Sequence, residues 1–489
     1  LTIAGFLLIL YADAWGPAKF IVGLALMVAC GMAMKSLLGM EGDWGMMLLR
    51  TKKGLALMDR IARLAPELWK FCADIGVVLG FGLFSLFIFK EAPKWRIIIG
   101  MLLLFLFSQF ILPLAGPLAL ETINLPSGSA GLGSQATASA IGGSDSMVLL
   151  VLNALYYLIF IATIMGGLVL AGIVGLGLKA LTVVLALGVF IGSIFSGVPD
   201  GAALSGEAPG ATFVLPGINL PLIEGILALA VLLVVHESAH GVLARVFKIR
   251  LKSTGLVLFG IIPAGAFVDP DEKQLESADP QKQKSVLAAG SAANLGTAML
   301  FFFLFIMFQS LILSAYPTQE IGKTYVEIVG ISEGSPATGH VAIGSRLYSW
   351  RGHDSTTIAG FMAAANGTLP GETVLIVTDK GEFRLKADEN GKVGVHAQQF
   401  TYSFGDWVRE LSKLGNPLPA FLFNFIAITF VLNILVGIIN LFPIPPFDGY
   451  RIAALACGKK KILGLELIRL IMWSVVLLFL LNLVPWAWS

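Results

Sequence analysis

Charge is scarce in this chain. Asp, Glu, Lys and Arg make up 13% of its 489 residues, against 56% hydrophobic residues and a mean hydropathy of +0.85. A soluble domain carries nearer a quarter charged residues, so the composition excludes a water-soluble globular fold for most of the length and implies a polytopic membrane protein in a lipid bilayer. The formal net charge is +2 and no basic tract is interleaved with aromatics, which leaves no nucleic-acid partner. Cysteine is rarer still. Cys30, Cys72 and Cys457 stand far apart with no C-x-x-C spacing, excluding a disulfide framework and a thiolate metal site. No basic segment precedes the apolar opening at Leu1, so no cleavable signal peptide is expected.

Histidine is the third scarcity, with five in the chain. Two of them stand four apart in Leu232-Leu233-Val234-Val235-His236-Glu237-Ser238-Ala239-His240-Gly241. Residues four apart share one helix face, so His236 and His240 can offer two ring nitrogens to one ion. Glu237, one step round, can reach a water beside that ion. This is the H-E-x-x-H arrangement of zinc hydrolases. Its setting is unusual, because residues 221–235 are almost uncharged. An ionisable cluster within a membrane segment marks a functional site.

A spanning helix needs about 20 mostly apolar residues. Runs of that kind fall at residues 18–39, 72–89, 97–119, 147–176, 180–197, 221–247, 286–315, 417–442 and 462–484, with a shorter run at 2–12. They predict about eight to ten spans. Residues 41–70 mix Arg50, Lys52, Lys53, Arg60 and Arg63 with Met and Leu and read as a surface or interfacial helix. Residues 121–146 are rich in Gly, Ser and Ala without Lys or Arg, as a non-cytoplasmic loop would be. The stretch 256–268, β-branched and broken by Gly260, Pro263 and Gly265, is too irregular to span. It reads as a membrane-embedded β-hairpin whose backbone must be satisfied by protein or a water cavity. Residues 320–400 shift to soluble composition, with strand patterns at Val326–Ile331 and Thr373–Val377. Residues 401–416 are amphipathic. The glycines at 166, 167, 172, 175 and 177 imply close helix packing. Arg245, Lys248, Arg250 and Lys252 place the end of the motif helix in the cytoplasm, which puts the 320–400 module outside.

Catalytic zinc takes three protein ligands and keeps a position for water. His340, His353 and His396 lie in the soluble module, across the membrane from the motif. The candidate third ligand is Asp448, in Asn440-Leu441-Phe442-Pro443-Ile444-Pro445-Pro446-Phe447-Asp448-Gly449. Three prolines in four positions stop a continuous helix and let the backbone aim a carboxylate, and Gly449 suits a close approach or a left-handed turn. A zincin with a downstream glutamate is the rival reading, and Glu272 or Glu276 would supply it, though from a polar loop.

The pairing of His236-Glu237-x-x-His240 with Asn440-x-x-Pro443 and Asp448-Gly449 resembles the site-2 protease family of intramembrane zinc metalloproteases. Gly290-Ser291-Ala292-Ala293-Asn294 is similar to the family's Gly-Pro and Asn helix opening, with Ser291 in place of Pro. Gly265–Glu272 is similar to the segment after the family's hairpin. Ser332–Ala337 with Gly344–Leu347 resembles the start of a PDZ domain. Phe447, Tyr450 and Arg451 depart from the usual residues around the Asp-Gly pair, without removing a ligand. The resemblance covers about residues 209–484 and implies a catalytic membrane core over 201–319 and 401–489 and a small α+β PDZ-like domain over 320–400 that could bind a peptide tail; residues 1–200 match no part of it and read as an accessory transmembrane region. It implies Zn2+ held by His236, His240 and Asp448, with Glu237 as general base. It also implies that Asn440 and Asn294 hold extended substrate or the developing oxyanion. The substrate would be a transmembrane protein, cut within or near its span. A metal transporter or non-catalytic scaffold is the alternative, and such a carrier would not need Glu237.

Overall fold

In lipid a backbone must satisfy its own hydrogen bonds, so long apolar runs become helices. The computed structural model describes residues 16–43, 46–88, 93–123, 146–196, 209–211, 214–259, 262–332, 334–413, 415–458, 460–462 and 465–487. Among these, six helical segments are long and apolar enough to cross a membrane: Pro66–Ile88, Lys94–Ala119, Asn153–Phe195, Leu222–Val246, Pro280–Ala315 and Leu418–Ile439. The chain is thus a polytopic helical membrane protein with small β regions. Most of the run at 2–12 and most of the glycine-rich loop at 121–146 lie outside the described residues.

Two sequence expectations are corrected. Residues 41–70 are not one interfacial helix. They form β1 (Glu41–Asp43), β2 (Met46–Thr51) and α1 (Lys53–Leu64), and then enter α2 (Pro66–Phe81). The Met-Leu run at 46–49 belongs to that expected interfacial segment. It is instead a strand that pairs with β3 (Leu251–Phe259), a partner some 200 residues away that no local pattern announces. The runs at 147–176 and 180–197 form two helices within Ser146–Phe195 (together α3), and the break between them lies at the non-helical Gly166–Gly167 rather than near 178. Gly167 has φ 65°, and a Cβ there would strike the backbone of Gly80 and Phe81. Gly172 lies against the Phe442 ring, but Gly175 and Gly177 have open space beside them, so they do not mediate the expected packing among the described residues.

The chain divides into two compact units, one comprising residues 1–304 and 424–489 and the other Phe305–Phe423. In the first, β1 to β4 form an antiparallel sheet in that order, where β4 is Ile262–Pro270. The expected hairpin is therefore half of a four-stranded sheet, closed on one side by β2. The motif helix α4 (Leu222–Val246) starts after Pro221, carries Glu224 in its first turn and Arg245 in its last, and so complements its own dipole. Lys248, at φ 63°, ends it in a left-handed turn. On α2, Gly76 and Gly80 share a face. Gly76 abuts Ala292 and Gly80 abuts Leu441, so the small-xxx-small pattern lets α2 seat against the chain on both sides of the site. Val77, Phe81, Leu287, Ala288, Leu441, Phe442 and Ile452 share one buried cluster there.

In the second unit, strands β5 (Thr324–Ile331), β6 (Arg346–Trp350), β7 (His353–Asp354), β8 (Thr373–Thr378), β9 (Gly381–Lys386) and β10 (Val395–Thr401) form one sheet. Its order is β10-β5-β6-β8-β9, with β7 beside β6. Alternation in β8 buries Val374 and Ile376 completely. The helix Ile358–Asn366 covers them, its Phe361 ring edge-on to Trp350 at 5.3 Å. The amphipathic stretch becomes the helix Phe404–Lys413.

Candidate metal centre

His236 and His240 lie one turn apart on α4, and their Nε2 atoms are 3.2 Å from each other. The chain returns to them through the proline-rich break. The helix Leu418–Ile439 ends just before Asn440, and Asp448 opens the helix Asp448–Cys457. The amide N–H of Gly449 donates to the Asn440 carbonyl at 2.8 Å. A Cβ on Gly449 would collide with the Leu441 backbone. Close approach, not a left-handed turn, is what this glycine allows. The reversal brings Asp448 Oδ2 to 3.2 Å from His240 Nε2 and 3.6 Å from His236 Nε2.

The three donors make a nearly equilateral triangle. Donors about 2.0–2.2 Å from one tetrahedral zinc sit roughly 3.3–3.5 Å apart, so the triangle fits a single ion. Among the described residues these three form the one His, Cys, Asp or Glu group able to hold a metal. Glu272 lines the same cavity but does not join the cluster, and Glu276 is not among the cavity's lining residues. His340, His353 and His396 belong to the other unit, where His396 Nε2 bonds Ser332 Oγ at 2.9 Å.

The far ring nitrogens test the fit. His240 Nδ1 lies 2.8 Å from the Val286 carbonyl, which can only accept, so Nδ1 carries the proton and Nε2 a free lone pair. His236 Nδ1 faces the Asn294 side-chain amide at 3.0 Å. Asn294 is fully buried and its Oδ1 has no partner. A half-turn of that amide places Oδ1 against Nδ1–H, satisfies the orphaned oxygen and frees the Nε2 lone pair. Asn294 therefore sits behind the His236 ring and is not among the residues lining the cavity. Asn440, in contrast, lines the cavity.

Glu237 faces the sheet. Its Oε2 accepts the Val268 backbone N–H from β4 at 3.1 Å, which fixes the carboxylate. The cavity is about 540 Å³ and includes Leu232, Phe267, Val436, Pro446 and Arg451 among its walls. Gly290 completes the wall, since a Cβ there would come within 2.6 Å of His236 Nε2 and closer still to His240. Sequence reasoning missed two contributors, Arg50 and Gly290. The second was visible as part of a motif, while the first had no local signal.

Two histidines, an aspartate and a held glutamate, set among apolar helices, define a metallopeptidase-type centre in a membrane protein. The chain belongs to peptidase family M50, the site-2 protease family, whose model matches residues 224–483, more than half of it. It is 27% identical over 250 residues to an uncharacterised protein of Methanocaldococcus jannaschii, an alignment that takes in 50% of this chain and 60% of that protein. The chain thus spans about three-fifths of that curated relative.

Proposed function

We propose that the protein is an intramembrane zinc metalloprotease that hydrolyses peptide bonds within or near the spans of membrane-anchored substrates. The observation that carries the reading is the donor triangle of His236, His240 and Asp448 beside the Val268-held carboxylate of Glu237. A zinc ion held by these donors would polarise the scissile carbonyl and lower the pKa of a water to about 7. Glu237, held by the Val268 N–H at Oε2, would take a proton from the attacking water and pass it to the leaving amine. Asn294 holds the His236 ring in the ligating tautomer. Asn440, on the cavity wall, is placed for the extended substrate or the developing oxyanion.

A substrate helix has its carbonyls already bonded and must unwind before attack. The outer edge of β4 has no strand partner among the described residues, and an unwound segment can pair there as an added strand beside Glu237. The positive-inside rule supports an active site toward the cytoplasm and a PDZ-like module over 320–400 on the other side, where it would bind a peptide tail. Residues 201–319 and 401–489 then make the catalytic membrane core.

The test is Glu237→Gln in the full chain, assayed on a tagged single-span reporter with a Gly-Pro pair in its apolar segment. Cleavage should vanish while zinc content stays at the wild-type level. Unchanged cleavage would remove the protease reading, and a transporter needing only the ligands would take its place.

A further inference from the structure

The strand that the sequence hid carries an arginine toward the catalytic carboxylate. Arg50 lies on β2, opposite Gly255 of β3. Its Nε donates to Glu41 Oε2 of β1 at 2.8 Å. Its Nη1 donates to Ser253 Oγ of β3 at 2.9 Å and to Asp269 Oδ2 of β4 at 2.8 Å. The guanidinium also stacks over Phe267 of β4, 5.3 Å from the ring centroid. One side chain therefore touches each of the other three strands, as the planar fork of arginine permits and a lysine does not.

The place matters more than the number of bonds. Between Leu251 and Ser253 the β3–β4 ladder shifts register, so Lys252 has no partner there. A bulge loosens the backbone pairing that would otherwise locate Asp269. The ladder resumes at the Ser253–Asp269 pair, Arg50 ties both of these side chains together beside the bulge, and Asp269 is the neighbour of Val268, whose N–H holds Glu237. Gly255 keeps the route open, because a Cβ there would meet the Leu49 carbonyl and the Phe267 ring. Isolated exposed ion pairs contribute little. The Arg50 side chain is itself 38% exposed, but a guanidinium shared among three partners and backed by a ring is more constrained than an isolated pair.

We infer that Arg50 is a positioning residue for Glu237, acting through Asp269 and the β4 backbone. The strand Met46–Thr51, which lies outside the family-matched residues 224–483, is then a working part of the site and not an accessory. The inference rests on the protease reading above. Its readout is how well Glu237 is aimed, not whether metal or substrate binds. A misplacement of about 1 Å at a catalytic group can cost 100-fold in rate.

The experiment compares the full chain with Arg50→Gln, Arg50→Lys, Asp269→Asn and the Gln/Asn double variant. The probe is a quenched-fluorescent single-span peptide with a Gly-Pro pair in its apolar segment, with bound zinc measured on the same samples. Arg50→Gln should lower kcat about 10- to 100-fold with KM and zinc content unchanged. Arg50→Lys should recover part of the loss, and the double variant should be no slower than the slower single one. The inference is overturned if Arg50→Gln keeps kcat within about twofold, if only KM rises, or if the two single losses multiply in the double variant. It is equally overturned if both Arg50 variants lose zinc, which would make Arg50 a part of the general assembly of the centre. A wild-type chain that never cuts the probe would instead undo the protease reading.

Discussion

A single methyl group at Gly290 bears on both metal binding and folding. In Gly290→Ala the added Cβ would lie 2.6 Å from His236 Nε2 and Cε1, and nearer to His240 Nε2, where real Cβ contacts do not fall below 3.0 Å. Restoring contact moves a ligand ring by roughly 0.4–0.8 Å, whereas ligand distances tolerate about 0.2 Å. Zinc affinity should fall at least 10- to 100-fold, or about 1.4–2.7 kcal/mol. Folding of the metal-free protein meets the same clash, at about 1–3 kcal/mol for overpacking, but recovers part of it because Gly290 sits inside the helix Pro280–Ala315, where alanine is favoured over glycine by about 0.5–1 kcal/mol. The assay is zinc retained against a competing chelator, with thermal unfolding of the metal-free protein alongside. Wild-type zinc affinity in Gly290→Ala would refute the packing of this helix against the two ligands and with it the proposed centre.

Two further outcomes follow from neighbouring geometry. Asn294→Asp still offers His236 Nδ1 an acceptor and should keep zinc, while Asn294→Leu should lose about 10- to 100-fold in metal affinity. A rise in KM alone in the leucine variant would return Asn294 to substrate binding. In the second unit, Asp406 accepts from the Ser403 N–H and hydroxyl and from Arg409, each at 3.0 Å. Burial pushes its carboxyl pKa upward, but these donors outweigh burial and hold it below the ordinary carboxylate range. A depressed folded pKa gives stability that is present above the unfolded value of about 3.9 and lost as pH falls through the folded one. Protection of the amides around 401–413, corrected for the intrinsic pH dependence of exchange, should therefore fall as the pH drops below about 3.9, and Asp406→Asn should show the lower protection already at pH 7.

The legible parts of this protein are those written in a local code. His236 and His240 announce themselves because a helix turn puts them on one face, with Glu237 one step round. Asp448 announces itself because prolines at 443, 445 and 446 must break a helix there. The apolar runs announce spans because lipid leaves few other structures. What stayed hidden depends on pairing at long range. Met46–Thr51, four apolar residues followed by Arg and Thr, shows no strand alternation of its own, and pairing with β3 across the sheet makes it a strand. The kink of Ser146–Phe195 sits at Gly166–Gly167, where Gly167 meets the Gly80 backbone of another helix, while Gly175 and Gly177, equally conspicuous in the sequence, have no such neighbour among the described residues. Asn294 was assigned by resemblance to the substrate, yet its bond is to His236. A motif fixes which residue is present and leaves open which way it points.

The account turns on one ion held by three named donors, and X-ray absorption at the zinc edge of the purified full chain addresses it directly. The expected shell is two imidazole nitrogens at about 2.0–2.1 Å, carboxylate and water oxygens at about 2.0–2.2 Å, and no sulfur. Asp448→Ala should lose the metal, or hold it weakly with one oxygen fewer. A sulfur neighbour near 2.3 Å, or an unchanged spectrum in Asp448→Ala, would contradict the proposed centre.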